Sequence, residues 1–191
     1  MNASNFCWVN IVDVPVAVIN DFDSGNAKFN EFLKERARDW QTNGEAVTYL
    51  IVTEKDLETK TYTRIYGYVS INTMGLLYIS HDGGNRYLPC AEIRMFAISR
   101  NLRKHHDPTI TYSDTIFKLI LQNLYELSTS VIGFRAIFLN ANHEGFQLYT
   151  DNNFRKISEL IPPTEEEKLD IDGTTPMLLP IDDKMIYDIF S

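Results

Sequence analysis

The run Asn142-His143-Glu144-Gly145-Phe146-Gln147-Leu148-Tyr149-Thr150-Asp151-Asn152-Asn153-Phe154 constrains the fold of this chain more than any other stretch. It reads as an amphipathic helix that leaves a strand and is closed by a left-handed turn. Asn153 stands where the residue past a helix end takes positive φ, and asparagine is the best non-glycine choice there. Phe154 then opens a new strand. Upstream, Phe134 to Asn140 alternates and turns apolar through Ile137, Phe138 and Leu139, as a strand buried on both faces does. The unit is strand, helix, strand, near the end of a domain.

With 191 residues, 44% of them hydrophobic, and no repeat or low-complexity tract, the chain is long enough for one domain, 1–191, with a sizeable core. No apolar run reaches about 18 residues and no basic leader is present, so a soluble cytoplasmic protein without a membrane partner is expected. Cys7 and Cys90 lack metal-site spacing; they read as core thiols, although two cysteines can also pair. The four histidines, His81, His105, His106 and His143, form no ligand pattern, so no metal is expected. A formal charge of −8 argues against a general nucleic-acid binder and leaves room only for a local basic patch.

In chain order, Val9 to Asn20 is apolar with Pro15 inside it, which predicts an edge or bulged strand. Phe22-Asp23-Ser24-Gly25-Asn26 is turn-rich and leads into an amphipathic helix from about Ala27 to Trp40. Glu45 to Thr53 and Thr61 to Asn72 predict an antiparallel pair joined by the charged run Lys55 to Lys60. Leu76 to Ser80 predicts a short arm before the turn at His81 to Gly84. Pro89 to Ser99 is a strand, followed by the basic loop Arg100 to Pro108 and a helix capped by Ser113 or Asp114. An acidic connection, Pro162 to Asp172, contains Glu165-Glu166-Glu167, most simply a solvated face. A strand around Met177 to Ile181 then closes an α+β fold with a central mixed, mostly antiparallel sheet.

The spacing of Asn142, Tyr149 and Phe154 resembles the last motif of the GNAT acyltransferases, with Gly145 in place of an alanine and Asn153 in place of a glycine. Both replacements read as mild, since Gly145 is small and Asn153 tolerates the turn. Phe22 to Asn26 is similar to the start of a GNAT subfamily that includes toxins of bacterial toxin–antitoxin pairs, and equally explained as an ordinary turn and cap. The resemblance implies a three-layer α/β/α GNAT fold and acetyl-CoA as co-substrate. It also implies an amine acceptor, which in toxin-like relatives is that of an aminoacyl-tRNA, and an antitoxin partner. The early strand and the apolar tail Met185, Ile186, Ile189 and Phe190 could either fold back or meet a second copy of the chain.

Acyl transfer from a thioester to an amine needs a grip on the coenzyme, a neutral amine, and a proton for the departing thiolate. The resemblance assigns the grip to the main chain of Phe96, Ala97 and Ile98, with a backbone N–H of Phe96 or Ala97 meeting the developing oxyanion. Tyr149 is the general acid, since a phenol near pKa 10 still holds its proton at neutral pH; a packed aromatic is the plain alternative. Asn142 contacts the coenzyme, or is simply an N-cap. Glu92 helps deprotonate the amine, directly or through water, or else pairs with Arg94 two residues on along the same strand face. The pyrophosphate loop lacks the family's glycines, and Pro108 removes a donor. Arg103, Lys104 and His105, with Ser113 at the helix start, are left to hold phosphate by charge, against the alternative of a solvated basic loop.

Two functions follow: first a GNAT-type N-acetyltransferase acting by direct attack, and second a GNAT-fold binding or regulatory module with weakened catalysis, which the missing glycines support and the retained Tyr149 and Asn142 oppose.

Overall fold

The computed structural model describes residues 6–79, 84–103, 111–157 and 173–181. They form β1 (Phe6–Asn10), α1 (Val16–Asn20), α2 (Ala27–Glu31), α3 (Ala37–Thr42), β2 (Val47–Thr53), α4 (Glu54–Thr59) and β3 (Gly67–Ile79). The chain continues with β4 (Asn85–Ile98), α5 (Arg100–Arg103), α6 (Tyr112–Ser130), β5 (Ala136–Ala141), α7 (Phe146–Asp151), β6 (Arg155–Lys156) and β7 (Thr175–Pro180). The strands make one mixed seven-stranded sheet in the order β1-β2-β3-β4-β5-β7-β6. The β4–β5 pair is parallel, and the β1–β2, β2–β3, β5–β7 and β6–β7 pairs are antiparallel. The α+β class and mixed sheet are as expected.

The chain divides into two compact units, Met1–Asn72 with Arg94–Leu121, and Thr73–Ile93 with Gln122–Ser191. β3, β4 and α6 each contribute residues to both.

In the first unit, alternation along β1 divides its residues between two layers of helix. Val9 joins Val14, Ile19, Phe22, Phe32, Leu33, Ala37, Leu50, Val52 and Tyr68 in one buried cluster, with Cys7 packed against it. Phe6 faces the other way and meets the ring of Tyr112 on α6 at 6.4 Å. β2 is buried on both sides through Leu50, Ile51 and Val52, hence its continuous apolar run. The Tyr68 hydroxyl donates to the Phe29 carbonyl at 2.9 Å, so this large ring is buried without orphaning its polar end.

Several sequence expectations are corrected here. The strand expected over Val9 to Asn20 is β1 and ends at Asn10, whose side chain accepts from the Val12 N–H and starts a 3₁₀ turn. Pro15, with no N–H to give a ladder, instead precedes α1 and accepts from Val18 and Ile19. The helix expected over Ala27 to Trp40 is present but contains a π turn at Phe32–Arg36. The charged connection is the helix α4, because Thr53 and Asp56 form a reciprocal capping box. The next strand begins at Gly67, not Thr61. The short arm is part of β3 itself, which runs unbroken to Ile79. The basic loop opens as the helix α5, and α6 begins at Tyr112, so Ser113 and Asp114 lie inside its first turn and do not cap it. The acidic connection and the apolar tail lie outside the described residues.

In the second unit, β5 is buried on both faces through Ala136 to Leu139. β7 lies between β5 and β6, with Phe138 opposite Leu178 and Arg155 opposite the same Leu178 from the other side. Leu76, Cys90, Ala136, Phe138, Ile157 and Leu178 form its core cluster. Cys7 and Cys90 are both free thiols, and burial pushes Cys90 up to about 11.

Candidate active site

The α7 segment is held at both ends by backbone chemistry that its sequence spells out. At its start, Asn142 Oδ1 accepts from the Gly145 N–H at 2.7 Å, and the Asn142 carbonyl accepts from the Phe146 N–H at 3.0 Å. Asn142 is thus the cap of the turn that feeds α7. At its end, Asn153 takes φ 64°, as expected. The Phe154 N–H reaches back to the Tyr149 carbonyl at 3.0 Å and the Asn153 N–H to the Thr150 carbonyl at 3.1 Å. This pair of bonds is a Schellman cap, and the rings of Tyr149 and Phe154, 6.1 Å apart, supply its apolar contact. The Tyr-x-x-x-Asn-Phe spacing therefore has a structural cause that holds whatever the tyrosine does.

Gly145 is less mild a replacement than its size suggests. A Cβ built on it would lie 2.8 Å from Tyr149 Cε2, 3.2 Å from Cζ and 3.1 Å from Asn142 Oδ1. The Tyr149 ring lies flat enough on the backbone of this turn that alanine has no room. Asn142, Gly145 and Tyr149 are thus one contact group. Tyr149 keeps part of its side chain at the surface, while burial of the phenol pushes it up to about 12. At neutral pH the hydroxyl keeps its proton.

In the first unit, β4 ends on residues whose edge matters more than their side chains. The Pro89 carbonyl accepts from the Arg135 N–H at 2.8 Å, so it points toward the β5 edge. The Ser99 N–H donates to the Tyr66 carbonyl at 2.8 Å, so it points toward the β3 edge. Residues 89 and 99 share a parity and would face one edge in a regular strand. The alternation of β4 is therefore interrupted between them, as by a bulge. Pairing with β5 ends at Ile93–Leu139, although β4 runs on to Ile98. The Ala97 carbonyl faces β3, where a Cβ on Gly67 would come within 2.9 Å of it. Phe96 and Ile98 consequently turn their N–H and C=O groups to the edge away from β3. Of the two N–H groups proposed for an oxyanion, Phe96 faces that edge and Ala97 does not. The Phe96 ring packs on Phe117 of α6 at 5.3 Å.

The start of α5 is tied to the early turn by contacts that the sequence alone does not reveal. Arg100 Nε meets Asp23 Oδ2 at 2.8 Å, and the Arg100 N–H donates to the Asp23 carbonyl at 3.0 Å. Asp23 Oδ1 accepts from the Gly25 N–H at 2.7 Å and from Asn30 Nδ2 at 3.0 Å. Asn30 Oδ1 in turn accepts from the Ser24 N–H and hydroxyl, both at 2.8 Å. The Gly25 N–H above all, then the Asn30 amide, and to a lesser degree Arg100, hold the Asp23 carboxyl below its usual range. Phe22 to Asn30 is more than an ordinary cap: it anchors Arg100, the first residue of α5.

Glu92 lies on β4 beside Phe138 of β5 and is half-buried. The Arg94 guanidinium stacks over the Trp40 ring at 5.0 Å. Ser113 is the second residue of α6, half-buried, and Arg103 closes α5. Lys104 and His105 lie outside the described residues. Among the described residues no group of histidine, cysteine, aspartate and glutamate side chains could hold a metal, and no helix is long and apolar enough to cross a membrane.

No protein-family model matches the chain, and no curated protein matches it. Solved structures do. A tyrosine-to-phenylalanine mutant of KacT has a TM-score of 0.68 at 17% identity, over 98% of this chain and 100% of that one. AtaT complexed with acetyl-methionyl-tRNAfMet has the same TM-score, identity and coverage. A tyrosine-to-phenylalanine mutant of the AtaT toxin, bound to the C-terminus of the antitoxin AtaR and to acetyl-CoA, has a TM-score of 0.65 at 16% identity, over 97% and 96% of the two chains. The fold is that of the GNAT-fold toxins.

Proposed function

We propose that the chain is an N-acetyltransferase that moves an acetyl group from acetyl-CoA to an amine by direct attack on the thioester. The observation that carries this reading is the edge of β4 beyond Ile93, where pairing with β5 has ended while the strand runs on through Phe96 and Ile98. An extended pantetheine arm can bond to that edge as an added strand would. The Phe96 N–H then donates to the thioester carbonyl oxygen as negative charge develops on it. Tyr149 gives its proton to the departing thiolate, and Glu92 takes the surplus proton of the amine, directly or through water. Asn142 sets the start of the helix that carries Tyr149. Arg103, Lys104, His105 and Ser113 are assigned to the coenzyme phosphates, replacing by charge the bare N–H groups of a glycine loop.

Three further points support the reading from outside the chain: AtaT has been seen with acetyl-CoA and with an acetylated aminoacyl-tRNA, and both KacT and AtaT have been studied with a tyrosine changed to phenylalanine. The acceptor in this reading is the α-amine of an aminoacyl-tRNA, and the partner an antitoxin. The net charge of −8 requires any contact with tRNA phosphates to be local.

Titration calorimetry with acetyl-CoA and its desulfo analogue, followed by mass spectrometry of charged tRNA incubated with acetyl-CoA, tests it. Saturable heat and an N-acetylated aminoacyl product are expected. No heat at millimolar coenzyme would leave the fold as a binding or regulatory module.

A further inference from the structure

Asn140 stands at the carboxyl end of the parallel pair in the second unit. The last rung between β4 and β5 is Ile93–Leu139, and Asn140 is the next residue of β5. Open sheets bind their ligands beyond the carboxyl ends of parallel strands, where neighbours part. Asn140 Oδ1 is buried and has no hydrogen-bond partner among the described residues. Its surroundings explain why. The register places Asn140 on the face shared by Ala136 and Phe138, which lie beside Cys90 and Glu92 of β4. Cys90, Ala136, Phe138 and Leu178 there form an apolar cluster. The residue opposite Asn140 in β7 is Pro176, which has no N–H.

A buried amide oxygen left without a donor costs stability, and such costs are retained where a ligand makes use of them. We infer that Asn140 Oδ1 receives an N–H of the acceptor amine, with the Glu92 carboxylate on the same strand face as the second acceptor. This assignment deepens the acetyltransferase reading and rests on it. The site so built takes a primary amine: one N–H goes to Asn140, one to Glu92, and the lone pair is left for the thioester carbonyl. As the N–C bond forms and the C–S bond breaks, the surplus amine proton passes to Glu92, directly or through water. The thiolate takes the Tyr149 proton, and solvent restores both groups. Asn140 transfers no proton; it fixes the direction of the lone pair.

The test uses Asn140→Leu in the full chain, with Asn140→Ala as the smaller alternative, and methionine methyl ester as the amine. Three quantities are measured: Tm without ligand, the acetyl-CoA Kd by calorimetry, and the ester KM at saturating acetyl-CoA. Expected are a Tm equal to or above that of the wild type, an unchanged coenzyme Kd, and an ester KM raised by about tenfold. A lower Tm with an unchanged ester KM makes Asn140 a structural residue and overturns the assignment alone. A wild-type chain that takes up no acetyl-CoA overturns the acetyltransferase reading, and this assignment with it.

Discussion

The ring of Phe154 packs 6.1 Å from that of Tyr149, while the Phe154 N–H bonds to the Tyr149 carbonyl at 3.0 Å. One residue thus closes both the backbone and the apolar side of the cap, and the proposed proton donor is the residue on which that cap is built. Tyr149 has a structural reason to be where it is, so only measurements that separate ring from hydroxyl bear on its chemistry.

Tyr149→Phe keeps the ring and its contact with Phe154. Turnover is expected to fall by about 100-fold or more with acetyl-CoA affinity nearly unchanged, because a general acid acts in the transition state and not in binding. Steady-state kinetics beside calorimetry checks this, and an unchanged rate removes the role.

The same variant tests the burial of the phenol. The phenol sits at about 12 in the folded chain against 10.0 when free, so the unfolded chain loses this proton first as pH rises. The stability tied to it is complete below pH 10 and is lost as pH climbs through 12. Across that window the unfolding free energy of the wild type should fall, relative to Tyr149→Phe, by up to about 1.4 kcal/mol per pH unit. Urea denaturation at several alkaline pH values reads the difference.

Gly145→Ala is expected to cost about 1–3 kcal/mol, since a Cβ 2.8 Å from the Tyr149 ring forces the ring or the turn to shift. Turnover should fall with it. A denaturation midpoint equal to the wild type would mean that the ring has another place to go.

Asn153 at φ 64° separates backbone from side-chain effects. Asn153→Gly should change stability by less than about 0.5 kcal/mol, and Asn153→Val should lower it by about 1–2 kcal/mol, because a β-branched residue pays the full left-handed penalty. Urea denaturation of both variants is sufficient.

Asp23→Ala releases Arg100 from its carboxylate. The acetyl-CoA KM is expected to rise by about threefold to tenfold with little change in kcat, as a cation at the start of α5 loses its fixed direction. Because the Asp23 carboxyl is held below 3.8, what it contributes to stability is present above that pH and lost as pH falls through its lower folded value. The wild type should therefore approach the variant in stability in acid.

Much of the site was legible because its causes are local. Asn153 could be read as left-handed and Asn142 as a cap from spacing alone, and the apolar run of β5 announced burial on both faces. What misled was equally local: Pro15 suggested a bulged strand where it precedes a helix, and Ser113 suggested a cap where the helix had already begun.

The order of the chain determined the strand, helix, strand unit around Tyr149 and the mixed α+β class, since dihedral limits, capping bonds and side-chain periodicity act over a few neighbouring residues. The tertiary structure decided which strands became neighbours, and with that the bulge that turns Phe96 outward, the approach of Gly67 to Ala97, the grip of Asp23 on Arg100 and the solitary amide oxygen of Asn140. Each of these depends on groups far apart in sequence, whose meeting is set by register and packing and leaves no periodic trace in the chain.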